Sequence, residues 1–142
     1  MPTRTATASW QGGLKGGTGK FEGESGAIAA SYSFGTRFEN AKGSNPEELL
    51  AAAEAACFSM ALSAQLEKMG KAPKSIDTRA YCTIEKVGDG FKITTMKLEV
   101  RGNVPGIEER EFAEVAEKVK STCPVSTAIK GNVALELDAK LG

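Results

Sequence analysis

The longest regular pattern in the chain covers residues 44–70, where apolar side chains point in nearly every direction around a helix axis. Asn45 suits the N-cap, Pro46 suits the first helical position because no N–H is needed there, and Gly70 suits the end of the helix. A helix without a polar face is typical of one that is buried on every side. We therefore expect a long central helix around which the rest of the chain packs.

Alternating apolar and polar residues predict strands on both sides of this helix. The predicted strands are residues 3–10, 18–22 and 27–34 before it, and residues 75–87, 91–101 and 132–141 after it. The alternation slips within the fifth of these strands, which predicts a β-bulge near Thr94 and Thr95. Residues 35–43 lack either pattern and are expected to form a loop, which contains Arg37.

Two shorter helices complete the prediction. Residues 107–122 carry one apolar stripe and are expected to form an amphipathic helix. Pro124 suits a first helical position, so Cys123 is expected to cap a short helix that ends near Gly131. No repeat or linker interrupts the chain. The sequence thus predicts one α+β domain over residues 1–142, with antiparallel sheets around a buried central helix.

Composition narrows the class of protein. With 142 residues, of which 41% are hydrophobic, the chain can form a substantial core. The 18 basic and 18 acidic residues are interspersed and balance, which argues against a nucleic-acid surface or a polybasic membrane anchor. The first ten residues contain no apolar run, and Glu54 interrupts the apolar helix. We expect a soluble cytoplasmic protein.

The chain contains no histidine and three cysteines. The absence of histidine excludes Ser-His-Asp and Cys-His catalysis, histidine general bases and histidine metal ligands. Because the cysteines also form no CxxC pair, no metal or other cofactor is expected. Any chemistry must therefore come from cysteine. Cys123 at a helix N-terminus is the most acidic thiol on these grounds, whereas Cys57 in the long helix and Cys82 on an inward strand face also fit simple packing.

Helix geometry also selects one carboxylate. Glu47 precedes Cys57 by ten residues, about 1000° of rotation, and so lies within about 80° of it, whereas Glu48 lies about 180° away. A carboxylate alone would oppose formation of a thiolate. Arg37, in the loop before the helix, is a candidate for the cation that Glu47 would hold against the sulfur.

Four stretches together resemble the osmotically inducible protein C family, within the superfamily that includes organic hydroperoxide resistance proteins. They are FGTRFENAKGSNPEELLAAAEAACFSMAL (34–62), SIDTRA (75–80), VPGIEEREF (104–112) and CPVS (123–126). The resemblance covers nearly the whole chain, in order. It implies an intertwined homodimer with active sites at the subunit interface and a cysteine-based peroxidase that acts on organic hydroperoxides and hydrogen peroxide without metal or flavin.

The resemblance also assigns roles. It implies that Cys57 attacks the peroxide, which reverses the order of the thiols argued above, that Cys123 resolves the sulfenic acid as a disulfide, and that Glu47 orients an arginine. Arg37 matches the arginine of the osmotically inducible branch, whereas the other branch supplies it nearer the N-terminus, where this chain has only Arg4. An external dithiol, such as a lipoyl-type one, would then reduce the disulfide. The alternative hypothesis is a non-enzymatic dimeric ligand-binding or stress protein with packed cysteines.

Overall fold

A computed structural model describes residues 1–142, which divide into two compact units, Met1–Leu49 and Leu50–Gly142. The N-terminal unit begins with a three-stranded antiparallel meander of β1 (Ala6–Gln11), β2 (Thr18–Gly23) and β3 (Ala29–Tyr32), in the order β1-β2-β3. The alternation in the sequence predicted these three strands. β1 begins three residues later and ends one residue later than expected, β2 is one residue longer, and β3 is two residues shorter at each end.

A short helix, α1 (Phe34–Phe38), follows β3, so the prediction of a loop over residues 35–43 was wrong in its first half. The helix forms because Ser33 and Thr36 make a reciprocal capping box. The Ser33 side chain accepts from the Thr36 N–H at 3.2 Å, and the Thr36 side chain accepts from the Ser33 N–H at 2.9 Å. Arg37 lies in its last turn.

The long helix α2 (Pro46–Lys68) begins in the N-terminal unit and continues in the C-terminal unit. The predicted cap is confirmed, because the Asn45 Oδ1 atom accepts from the Glu48 N–H at 2.8 Å, and Gly70 adopts a φ of +75° after the last turn. Within one chain, however, the helix is not buried on every side. One side is fully buried through Phe58, Leu62 and Leu66, and the opposite side is exposed.

The C-terminal unit contains a second sheet of β4 (Ser75–Val87), β5 (Gly90–Asn103) and β6 (Ala134–Leu141), in the order β4-β5-β6. β4 and β5 form an antiparallel hairpin whose register shifts between Thr83 and Ile84, so Thr94 is the extra residue on β5 and the predicted bulge is confirmed. β6 pairs with β5 in parallel, so the expectation of purely antiparallel sheets was wrong.

The parallel pairing follows from the connection between β5 and β6. This connection contains α3 (Glu109–Val119) and α4 (Pro124–Ile129). Such a crossover returns the chain to the end of the sheet at which β5 begins, so that β6 runs in the same direction as β5. α3 has the predicted apolar stripe of Phe112, Val115, Ala116 and Val119, all buried. Gly102 on β5 admits the Phe112 ring, because a Cβ atom at that position would lie 2.6 Å from two ring carbons.

A single hydrophobic core occupies the C-terminal unit. Its residues come from α2, β5, α3 and the segments that follow β5 and α3: Phe58, Leu62, Leu66, Met96, Leu98, Val100, Val104, Phe112, Val115, Ala116, Val119 and Cys123. One of the three cysteines is thus a core residue at the N-terminus of α4. The core therefore places that thiol in a dry environment, next to the middle of α2.

Candidate active site

Two of the predicted site residues, Cys57 and Cys123, meet inside the C-terminal unit. The Cys123 thiol donates a hydrogen bond to Cys57 Sγ at 3.0 Å, and both thiols are free. Cys57 lies in the middle of α2 and is half-buried, whereas Cys123 is the predicted N-cap of α4 and is completely buried. A disulfide bond measures about 2.05 Å. The two sulfur atoms therefore need to approach by only about 1 Å to become bonded.

The surroundings of Cys57 favour its protonated form. Burial raises the pKa of the Cys57 thiol, the neighbouring Cys123 thiol raises it further, and a hydrogen bond from the Val125 backbone N–H lowers it. The nearby Glu54 carboxyl adds to the upward shift. No basic side chain of the C-terminal unit opposes these effects. A cation is therefore the group that the thiol pair lacks within its own unit.

The other two predicted site residues, Arg37 and Glu47, meet inside the N-terminal unit. Arg37 Nε donates to Glu47 Oε1 at 2.7 Å, and the Glu47 residue is only 5% exposed. The guanidinium carbon of Arg37 lies 5.2 Å from the centre of the Phe38 ring, so the side chain is held from two sides. Because Arg37 uses Nε for this pair, its two terminal nitrogens remain available as donors.

Glu48, the neighbour of Glu47, is exposed on the helix surface. This difference matches the rotation of the helix, which directs the two carboxylates to different sides. Glu47 Oε2 is buried and has no partner. The ion pair therefore leaves both a carboxylate oxygen and guanidinium donors unused.

A pocket of about 270 Å³ adjoins Arg37 in the N-terminal unit. Its lining is largely aromatic and aliphatic: Trp10, Leu14, Tyr32, Ser33, Phe34, Arg37 and Phe38. A pocket with apolar walls and one cation suits a small molecule that has an apolar body and a polar group at one end.

Two residues that the sequence analysis did not assign, Glu54 and Ser126, lie beside the thiols. The Ser126 hydroxyl donates to Glu54 Oε1, and the two residues are 1% and 0% exposed respectively. A signal was present in the sequence, because Glu54 precedes Cys57 by three residues and Ser126 follows Cys123 by three. A spacing of three places side chains on the same side of a helix. Sequence reasoning treated Glu54 only as an interruption of the apolar helix.

Cys82 lies apart from this chemistry as a half-buried residue on the inward face of β4, opposite Met96 and packed against the core. No group of three or more cysteine, aspartate or glutamate side chains that could hold a metal ion occurs in the structure. The C-terminal unit thus contains two free thiols and a buried acid with its hydroxyl partner, and the N-terminal unit contains the ion pair.

Two unbonded thiols in hydrogen-bond contact, one of them fully buried, have the arrangement that a dithiol–disulfide couple requires. Comparison with known proteins then gives the family. The family model for OsmC-like protein matches residues 39–138, and the chain belongs to that family.

Named relatives and solved structures agree with this assignment. The chain is 46% identical over 134 residues to peroxiredoxin OsmC of Escherichia coli (strain K12), with 94% of each chain covered. It is 35% identical over 97 residues to the organic hydroperoxide resistance protein of Xanthomonas axonopodis pv. citri (strain 306), covering 67% and 66% of the two chains. Its fold is similar to that of the organic hydroperoxide resistance protein OhrB of Bacillus subtilis, with a TM-score of 0.77, 26% identity and coverage of 96% and 98%.

Proposed function

We propose that the protein is a thiol-dependent peroxidase that reduces organic hydroperoxides, and hydrogen peroxide, in defence against oxidative or osmotic stress in the cytoplasm. The observation that carries the proposal is the 3.0 Å contact between the two free thiols of Cys57 and Cys123. A role in hydroperoxide stress is supported by the names of the relatives, one a peroxiredoxin and another an organic hydroperoxide resistance protein. No cofactor is needed for this chemistry, because peroxide oxidises a thiolate directly.

In the first step, the Cys57 thiolate attacks the terminal oxygen of the hydroperoxide. The O–O bond breaks, the alkoxide takes a proton and leaves as an alcohol, and Cys57 becomes a sulfenic acid. Arg37, held by Glu47, supplies the positive charge that favours the thiolate and the donors that stabilise the departing oxygen. This role is supported by the 2.7 Å ion pair and by the terminal nitrogens that the pair leaves available.

In the second step, Cys123 attacks the sulfenic sulfur of Cys57. A disulfide forms and water leaves, so the two electrons that reduced the peroxide have come from the two thiols. An external dithiol, such as a lipoyl-type compound, then reduces the disulfide by thiol exchange. The short distance between the sulfur atoms supports this step, since little movement is required.

The proposed enzyme is a homodimer in which the α2 helices of two chains pack together. The support is an exposed apolar stripe on α2, opposite its buried side: Ala52, Ala53, Ala56, Met60 and Ala64. Met60 is 77% exposed in the single chain, which is unfavourable for a large apolar side chain that lies within an apolar stripe. Sedimentation that shows a monomer at micromolar concentration would overturn the dimer.

Mass spectrometry after one equivalent of hydroperoxide tests the peroxidase proposal. We expect the loss of two hydrogens and a peptide in which Cys57 and Cys123 are bridged. Cys82→Ser, the matched control, should behave like the parent, and Cys57→Ser should not react. Cys123→Ser should stop after one turnover at a sulfenic acid that a dimedone-type reagent traps. An unchanged mass of the parent would favour the non-enzymatic ligand-binding alternative.

A further inference from the structure

The proposed reaction assigns no task to the most deeply buried acid of the molecule. Glu54 is 0% exposed, forms no ion pair, and has the Ser126 hydroxyl as its hydrogen-bond partner through Oε1. Its second oxygen, Oε2, is buried and has no partner. An ionised carboxylate without a cation or a full set of donors is costly in the interior of a protein.

Glu54 therefore holds a proton more firmly than an ordinary glutamate. Burial raises the pKa of its carboxyl, and the Ser126 hydrogen bond counteracts only part of this effect. No charged side chain of any element packed against it contributes to the shift. The titratable group that Glu54 affects is Cys57, whose pKa an ionised Glu54 raises. Glu54 is thus a carboxylic acid in electrostatic contact with the thiol site.

The position of Glu54 connects both thiols. On α2 it lies one helical turn before Cys57, and Ser126 lies in the first turn of α4, which Cys123 caps. The hydrogen bond between Ser126 and Glu54 therefore joins the two helices beside the contact between the sulfur atoms. An approach of Cys123 toward Cys57 takes place next to this acid.

Disulfide formation needs a proton carrier at this place. When Cys123 attacks the sulfenic sulfur of Cys57, hydroxide must leave with a proton to become water, and the Cys123 thiol must lose its own proton. Cys123 is 0% exposed, so bulk water has no direct access to its thiol. A neighbouring group that can release and accept a proton would supply both needs.

We propose that Glu54 is the proton-transfer residue of the disulfide-forming step. The Glu54 carboxylic acid gives its proton to the sulfenic hydroxyl as the S–O bond breaks, and the resulting carboxylate accepts the thiol proton of Cys123 as the S–S bond forms. The sum is one sulfenic acid and one thiol converted into one disulfide and one water, with Glu54 returned to its initial form. The inference rests on the peroxidase proposal and adds a residue to its second step.

Rapid-quench kinetics of Glu54→Gln tests this role, because glutamine keeps the shape and can accept from Ser126 but cannot transfer a proton. One equivalent of hydroperoxide is mixed with the reduced protein, and two quantities are followed: remaining peroxide and dimedone-trappable sulfenic acid. Peroxide should disappear at a rate within about twofold of the parent. Disulfide formation should slow at least about tenfold, so that sulfenic acid accumulates. A parental rate of disulfide formation would overturn the proposal.

Two further variants separate proton transfer from packing. Glu48→Gln, an exposed acid on the same helix, should leave both steps unchanged, and an equal slowing by this variant would contradict the proposal. Ser126→Ala removes the hydrogen bond that lowers the Glu54 pKa, so the pH at which disulfide formation declines should move upward. An unshifted pH profile would also overturn the inference. A parent protein that consumes no peroxide would instead overturn the peroxidase proposal, before any Glu54 variant is examined.

Discussion

The two units of the chain differ in what they bury. The C-terminal unit contains the complete hydrophobic core, together with the thiols of Cys57 and Cys123 and the buried acid Glu54. The N-terminal unit has no buried hydrophobic side chain; β1 is exposed along its whole length, and the main buried side chain is the charged Glu47. The C-terminal unit therefore has a dry interior but no cation near its two site thiols. The N-terminal unit has a guanidinium fixed by Glu47 but no dry interior.

This difference bears on what each unit could contribute to the proposed peroxidase. A dry site brings two thiols into contact and protects a sulfenic acid from side reactions, but burial also raises the pKa of Cys57 and so disfavours the reactive thiolate. A guanidinium on a well-solvated unit keeps its charge and hydrogen-bond donors, but carries no nucleophile. The proposed reaction therefore takes its nucleophile from one unit and its cation from the other.

The largest expected effect comes from removing the guanidinium of Arg37, which Glu47 binds in the N-terminal unit. Arg37→Ala should lower the rate of peroxide reduction about 10²- to 10³-fold at neutral pH, because the charge that favours the thiolate and the donors to the departing oxygen are both lost. The Cys57 pKa, read from the pH profile of the peroxide reaction, should rise. A variant with the parental rate and profile would show that the cation comes from elsewhere.

A variant of Glu47, the ion-pair partner of Arg37, separates the effect of charge from the effect of positioning. Glu47→Ala should change the Cys57 pKa less than Arg37→Ala does, because it removes an unfavourable negative charge together with the hold on the guanidinium. It should still slow peroxide reduction, since a loosely held donor stabilises the departing oxygen poorly. Glu48→Ala is the matched control and should change little. A Glu48 defect as large as the Glu47 defect would contradict the assignment of helix sides.

Local patterns in the sequence predicted several elements of both units. The hairpin of β4 and β5 with its bulge, the cap of α2 and the proline that places Cys123 before α4 depend on neighbouring residues, so they could be found in the chain itself. The two cysteines, Arg37 and Glu47 were singled out by residue type and family resemblance. That each pair is in contact depends on tertiary packing, which spacing alone does not determine.

The errors of the sequence analysis have physical reasons. The direction of β6 depends on the end of the sheet at which the connection through α3 and α4 finishes. The alternation of apolar residues cannot predict it, because that alternation is the same in parallel and antiparallel strands. The short helix α1 depends on a capping box in a segment without helical periodicity. Glu54 was overlooked because its spacing of three residues from Cys57 becomes informative only when Cys123 and Ser126 pack beside the same helix.

A smaller effect is expected from the exposed stripe of α2. Met60→Glu places a charge on a surface that the proposed dimer buries, so sedimentation should show a dimer dissociation constant at least about tenfold higher than that of the parent. The fold of the single chain should persist, because Met60 is 77% exposed there. Met69→Glu, at a second exposed methionine beyond the end of α2, is the control. An unchanged dissociation constant for Met60→Glu would show that the stripe does not lie in the dimer interface.

The smallest effect is a change in how stability depends on pH, and it tests whether the dry unit really holds Glu54 as a neutral acid. Because the Glu54 pKa is raised in the folded protein, the folded chain keeps a proton that the unfolded chain releases above about pH 4.3. The stabilising contribution is therefore complete below that pH and is lost as pH rises through the folded pKa. Urea unfolding should show the parent losing free energy of unfolding with rising pH relative to Glu54→Gln, by no more than about 1.4 kcal/mol per pH unit.

Asp138 provides a control of opposite sign. The hydrogen bond from Arg101 lowers the pKa of the Asp138 carboxyl, so its contribution is present at neutral pH and is lost as pH falls through the folded pKa. Relative to Asp138→Asn, the parent should therefore gain stability with rising pH in the acid range. This effect should be slight and should weaken with added salt, because the pair is partly exposed. If the Glu54 comparison had the same sign as the Asp138 comparison, Glu54 would be ionised in the folded protein, and the proton that we assign to disulfide formation would be absent.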